Sequence, residues 1–153
     1  MTCSLVVNSK SGNTRMVSGA IKRALQAAGV EFVHAAALSD DADADQVALE
    51  AQGACAADTV LVGFWCDKGA CTPSVATLLS ALHGKRVFLF GTCGFGASEE
   101  YFRQIIDRVS SNLANDAELA GWAMCQGKMG PAVKQRYEAM LEQDPDNARY
   151  KML

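Results

Sequence analysis

Hydrophobic positions in this chain follow two alternating rhythms. Short unbroken apolar runs recur, and between them apolar residues return every third or fourth position. The first run, residues 3–8, reads as a strand. Val17, Ala20, Ile21, Ala24, Leu25 and Ala28 then mark one helical face, closed by Gly29 in the place of a C′ glycine. Val30 to Ala37 reads as a second strand, weakened by its alanines. A short helix is expected near Gln46 to Gln52, with Asp45 as its N-cap. Thr59-Val60-Leu61-Val62-Gly63-Phe64-Trp65 is apolar almost throughout, the pattern of a strand covered on both faces. Thr72-Pro73 sets an N-cap with proline at N1, Val75, Leu78, Leu79 and Leu82 give the face, and Gly84 the stop. Val87 to Phe90 is the fourth strand, and Tyr101, Phe102, Ile105, Ile106, Val109 and Leu113 the fourth helix. Leu119 to Gln126 is the fifth strand, with Trp122 inside it. Pro131 opens a last helix on Val133, Tyr137, Met140 and Leu141, and the stretch from Asp144 is a polar tail.

Strand and helix thus alternate through the whole chain. Right-handed crossovers between parallel strands cover both faces of a sheet, so the pattern predicts an α/β fold with a doubly wound, five-stranded parallel sheet. Ligands in such folds lie beyond the carboxyl ends of the strands, where the winding reverses. The chemistry is therefore expected in the loops after strands one, three and four.

Composition narrows the function. The 153 residues suit one domain with a sizeable core. A net charge of −3 and scattered Lys and Arg exclude a basic stripe for nucleic acid. No apolar run reaches the roughly 20 residues that cross a bilayer, so no membrane insertion is expected. The first residues carry neither the basic start of a signal peptide nor an Arg-rich face, so a cytoplasmic location is expected. Cys3, Cys55, Cys66, Cys71, Cys93 and Cys125 are then reduced thiols, and no C-x-x-C pair suggests a metal. The acidic run Asp40-Asp41-Ala42-Asp43-Ala44-Asp45 reads as a solvated loop that caps the next helix.

The first loop carries the sharpest signal. Ser9-Lys10-Ser11-Gly12-Asn13-Thr14 joins the opening strand to the first helix. A helix N-terminus offers unpaired N–H groups and partial positive charge to a phosphate. Gly12 lets the backbone curl close to the anion, while Ser9, Ser11 and Thr14 add hydroxyl donors and Asn13 an amide. The motif is neither G-x-G-x-x-G nor a nucleoside-triphosphate loop, which argues against dinucleotides and triphosphates. It resembles the T/S-x-T/S-G-N-T phosphate loop of the flavodoxin family, and the length and element order are also those of short-chain flavodoxins. The resemblance spans about residues 3–142 and treats the 153 residues as one domain. It implies strand order 2-1-3-4-5, bound FMN, and electron transfer between redox partner proteins.

A flavin ring needs flat aromatic walls and a few polar contacts at its edge. Flavodoxins often stack a tryptophan on the ring at the end of strand three, and Phe64, Trp65, Cys66, Asp67 and Gly69 occupy that stretch. A second wall is expected from the loop that starts at Gly91, through Thr92, Cys93, Gly94, Phe95 and Gly96. The chain departs from the family twice. Phe95 replaces the usual tyrosine, and Cys66 stands where many flavodoxins have a glycine whose peptide turns over on flavin reduction. A Cβ there raises the cost of the turned-over form by about 1 kcal/mol or more. Asp67 near the ring would lower its potential, and the loop Gln126 to Gly130 lies where a partner or the flavin could approach.

Cys66, Cys71, Cys93 and Cys125 gather at the ligand side, yet their spacings match no standard cluster, so they read as small apolar filler. His34 and His83 pair with no evident nucleophile. The leading expectation is a mobile FMN carrier, monomer or weak dimer, with no catalytic residue. The alternatives are an FMN-dependent reductase of a quinone or other conjugated small molecule, for which no substrate or pyridine-nucleotide signature appears, and a fold that has lost its flavin, against which the intact first loop counts.

Overall fold

A computed structural model describes residues 1–94 and 98–126. Along them run β1 (Thr2–Val7), α1 (Asn13–Ala27), β2 (Glu31–Ala37), α2 (Ala44–Ala54), β3 (Thr59–Trp65), α3 (Pro73–Ser80), β4 (Arg86–Cys93), α4 (Glu99–Ser110) and β5 (Glu118–Gln126). Phe95 and Gly96, the expected helix after Pro131 and the tail from Asp144 lie outside the described residues.

The strands form one parallel sheet in the order β2-β1-β3-β4-β5. On one face Val17, Ile21 and Leu25 of α1 pack against Cys3, Leu5, Leu61 and Phe90. On the other, α2, α3 and α4 bury Val47, Val75, Leu78, Leu79, Ile105 and Val109 against Val6, Val60, Val62, Phe64, Val87 and Leu89. Odd and even residues of β3 thus feed two different cores, which is why its sequence reads apolar at both parities. The edge strand β2 is half-buried or exposed along its length, and its alternating pattern is correspondingly weak.

Three boundaries differ from expectation. The first helix begins at Asn13, ahead of its first apolar marker. The cap of α2 is Asp43, not Asp45: its carboxylate accepts the Gln46 N–H at 2.8 Å, and the Gln46 side chain accepts the Asp43 N–H at 2.9 Å. That reciprocal box needs an acid three residues before the glutamine. Asp45 falls instead in the first turn, where its charge suits the helix dipole. Finally, β4 continues through Gly91, Thr92 and Cys93, which were expected in a loop, because β3 pairs with it as far as Trp65 and β5 as far as Gln126.

Two cross-strand pairs lock the end of the sheet nearest the expected site. Gly63 lies opposite Phe90, and Phe64 opposite Gly91. Each ring occupies the space that its partner's missing Cβ leaves: a Cβ on Gly63 would strike the Phe90 ring, and one on Gly91 would come within 2.6 Å of Phe64 Cζ and 2.7 Å of Met124 Sδ. Both phenylalanines are fully buried, so neither ring can swing away into solvent. Gly91→Ala should therefore lower the unfolding free energy by about 1–3 kcal/mol, the usual cost of overpacking a core. Urea titration checks this through a lower midpoint at unchanged slope.

Candidate functional site

The winding reverses between β1 and β3, so the loops after these neighbouring strands leave towards opposite faces. Side chains cross that seam. Asn8, almost fully buried just past β1, donates through Nδ2 to the Leu38 carbonyl at 2.9 Å and to Asp40 Oδ1 at 2.7 Å. Its Oδ1 accepts the Thr72 hydroxyl at 3.3 Å. One amide thus joins the loops after β1, β2 and β3.

The first loop ends in Gly12, the N-cap of α1, at φ 93°. A side chain is strained at that angle, and a Cβ there would project into open space. No acidic residue stands in the first turn of α1, so its positive end is not offset, unlike those of α2 and α4. Ser9 Oγ accepts the N–H groups of Gly12 at 3.1 Å and Arg15 at 3.3 Å. Behind the loop Thr14 is fully buried. Its hydroxyl donates to the Phe64 carbonyl at 3.3 Å and accepts from the Thr92 hydroxyl at 2.8 Å. Thr14 therefore pins the start of α1 to the ends of β3 and β4, a role apart from the direct phosphate donor expected of it.

Trp65 closes β3 half-buried, on the same sheet face as α1. Its indole N–H donates to Asp40 Oδ1 at 3.0 Å, and Lys10 Nζ lies 4.9 Å from its ring centroid. Asp40 thus serves Asn8 and Trp65 together. Neither Asn8 nor Asp40 stood out in the sequence as a site residue. The available signals were a polar residue at the tip of an apolar strand and the first acid of a run that read as solvated.

Beyond Trp65 the chain makes a tight turn. Asp67 and Ala70 exchange backbone hydrogen bonds of 2.8 and 3.1 Å around Lys68 at φ 54° and Gly69 at φ 81°. The Gly69 carbonyl accepts Arg108 Nη1 at 3.1 Å, which ties the turn to α4. Cys66 keeps ordinary negative φ, and its N–H extends the ladder to the Thr92 carbonyl at 2.9 Å. Its thiol meets that of Cys93 at 2.7 Å on the face opposite α1. Cys93 holds the Cys66 proton through this contact and burial adds to it, so the Cys66 thiol titrates well above the usual thiol range. Burial pushes Cys71 up to about 11.

The structure therefore gathers Lys10 with Trp65, Thr14 with Phe64 and Thr92, and Cys66 with Cys93. Phe95 and Gly96 lie outside the described residues, and Gly94 follows β4 with its carbonyl accepting Gln126 Nε2 at 3.4 Å. Among the described residues no cluster of His, Cys, Asp and Glu could hold a metal ion, and no helix is long and apolar enough to cross a membrane.

The family profile described as a flavodoxin domain matches residues 4–153. This chain belongs to the flavodoxin family. A flavodoxin-like domain-containing protein BilS of Clostridium symbiosum is 32% identical over 160 residues, covering 100% of this chain and 82% of that protein. A protein of the same name from Clostridioides difficile is 38% identical over 90 residues, 59% of this chain and 51% of that one. Among solved structures, a short-chain flavodoxin associated with a non-canonical PDU bacterial microcompartment shares the fold at a TM-score of 0.58 and 19% identity, covering 93% of this chain and 95% of that one. Two-electron reduced Megasphaera elsdenii flavodoxin matches at 0.52 and 26% identity, covering 82% of this chain and 85% of that one.

The bridging role of Asp40 in this flavodoxin domain is open to test. Asp40→Ala should change the emission of Trp65, read in a Trp122→Phe background because the chain has two tryptophans. It should also cost about 1–3 kcal/mol of stability, since two hydrogen bonds to a carboxylate are lost, one of them from the buried Asn8 amide. Thr14→Val, which strands the Thr92 hydroxyl, should cost about 1–3 kcal/mol by chemical denaturation.

Proposed function

We propose that this chain binds FMN and carries electrons between redox partner proteins. The observation behind this reading is the first loop: an N-cap glycine in the left-handed region, at the mouth of a helix whose first turn holds no acid. A phosphate monoester dianion fits that donor set without a paired cation. Ser9, Ser11, Gly12 and Asn13 would line it, with Lys10 and Arg15 beside it. Thr14 fixes the helix against the sheet from below.

Bound FMN supplies one- and two-electron redox chemistry, and the protein sets its affinity and potential. Trp65 would give one flat wall for the ring, held in angle by Asp40 at its indole N–H and by Lys10 against its ring. Asp67, Gly94 and the stretch with Phe95 and Gly96 would meet the ring and its polar edge. The Cys66 backbone is held in the sheet ladder at negative φ, so turning its peptide over would break a hydrogen bond as well as strain a Cβ.

Titrating the apoprotein with FMN and with riboflavin separates the two halves of the site. Trp65→Ala should weaken both ligands by about threefold to tenfold, the worth of an aromatic contact. Gly12→Ala should weaken FMN by about fivefold to thirtyfold, as binding forces alanine into the left-handed region, and leave riboflavin nearly unchanged. A purified protein that is colourless and ignores FMN would overturn the reading. Steady NAD(P)H oxidation by the yellow protein alone would point to a reductase instead of a carrier.

A further inference from the structure

Four thiols stand at the carboxyl end of the sheet, and two of them touch. Cys66 follows β3 directly and Cys93 ends β4. Trp65 pairs with Thr92 across these parallel strands, so the next step of the ladder sets Cys66 beside Cys93. Neighbouring strands lie about 4.8 Å apart, within the roughly 4.4–6.8 Å between Cα atoms that a disulfide spans. Both side chains leave the sheet on the face of α2, α3 and α4, and their sulfurs are 2.7 Å apart as free thiols. Cys66 is half-buried, whereas Cys93 is buried.

We propose that Cys66 and Cys93 form a reversible dithiol–disulfide couple, oxidised by low-molecular-weight disulfides and reduced by thiols. The proposal stands on this chain's own residues and does not depend on flavin binding. In the forward direction the Cys66 thiolate attacks one sulfur of the small disulfide. That S–S bond breaks, a mixed disulfide forms, and one small thiolate leaves and takes up a proton. Cys93 then gives up its proton and attacks the Cys66 sulfur. The mixed bond breaks, the protein disulfide forms, and the second small thiol departs. The protein loses two S–H bonds and two electrons, and the oxidant gains both electrons and both protons.

Ionisation governs the rate of such exchange, and proximity governs its equilibrium. The shared proton and the burial of the pair make attack slow at neutral pH. Contact between the sulfurs nonetheless favours the ring-closing step once a mixed disulfide exists. Bond formation would join the segment after β3 to the end of β4. Filler cysteines would pack equally well without sulfur facing sulfur across a ladder.

The test uses the full folded chain in glutathione buffers of graded oxidised-to-reduced ratio, incubated for hours, then acid-quenched, alkylated and mapped by peptide mass spectrometry. The expected product is lighter by two hydrogens, links Cys66 to Cys93, and disappears on adding dithiothreitol. Cys71→Ser and Cys125→Ser should retain it, while Cys66→Ser and Cys93→Ser should each lose it altogether. The wild-type map decides the matter even if a serine variant fails to fold. Glutathione adducts without ring closure, a bridge to Cys71 or Cys125 in place of the named pair, or six free thiols at every ratio would overturn the proposal.

Discussion

A parallel sheet whose winding reverses must leave a seam between two strands whose loops diverge, and buried polar groups have to close it. In this chain Asn8 and Thr14 do so. The Asn8 amide meets the loops after β2 and β3, and the Thr14 hydroxyl meets the ends of β3 and β4. Both residues are almost or fully buried, where an unpaired polar atom costs far more than a paired one contributes. The seam therefore has few ways to close, and the way it closes sets the start of α1 and the mouth of the first loop.

The electrostatics of the site follow from the same seam. Asp40 would be an ordinary loop acid were it not beside Asn8 and the Trp65 indole. Lys10, from the other side of the seam, adds its charge to the Trp65 ring. The first loop and Trp65 are thus coupled through two charged side chains. The acid lies with the tryptophan, and the first turn of α1 is left without a negative charge of its own. No carboxylate of that first turn offsets the positive end of the helix.

Packing sets the rigidity behind these contacts. The Gly63–Phe90 and Phe64–Gly91 pairs place an aromatic ring over a glycine on each face of the sheet, immediately before Trp65 and Thr92. With no space for either ring to move, the ends of β3 and β4 present Trp65, Cys66, Thr92 and Cys93 at fixed heights.

Much of this was legible along the chain because local physics wrote it there. Strand parity, helical period, Gly29 and Thr72-Pro73 depend only on neighbours in sequence, and among the described residues they placed the strands and helices in the right order. The cap of α2 was misplaced because several acids in one run compete for it, and only the backbone geometry selects Asp43. The end of β4 was drawn short because its last residues become strand by pairing with β3 and β5, which no local signal reports. Asn8, Asp40 and the Cys66–Cys93 contact were hidden for the same reason. Their partners lie 30, 32 and 27 residues away. Local sequence alone dictated which of the described segments are strands and helices. Tertiary structure alone decided which polar side chains share the seam and which sulfurs meet, because hydrogen bonds and thiol contacts depend on distance in space, and only the closed sheet brings these residues together.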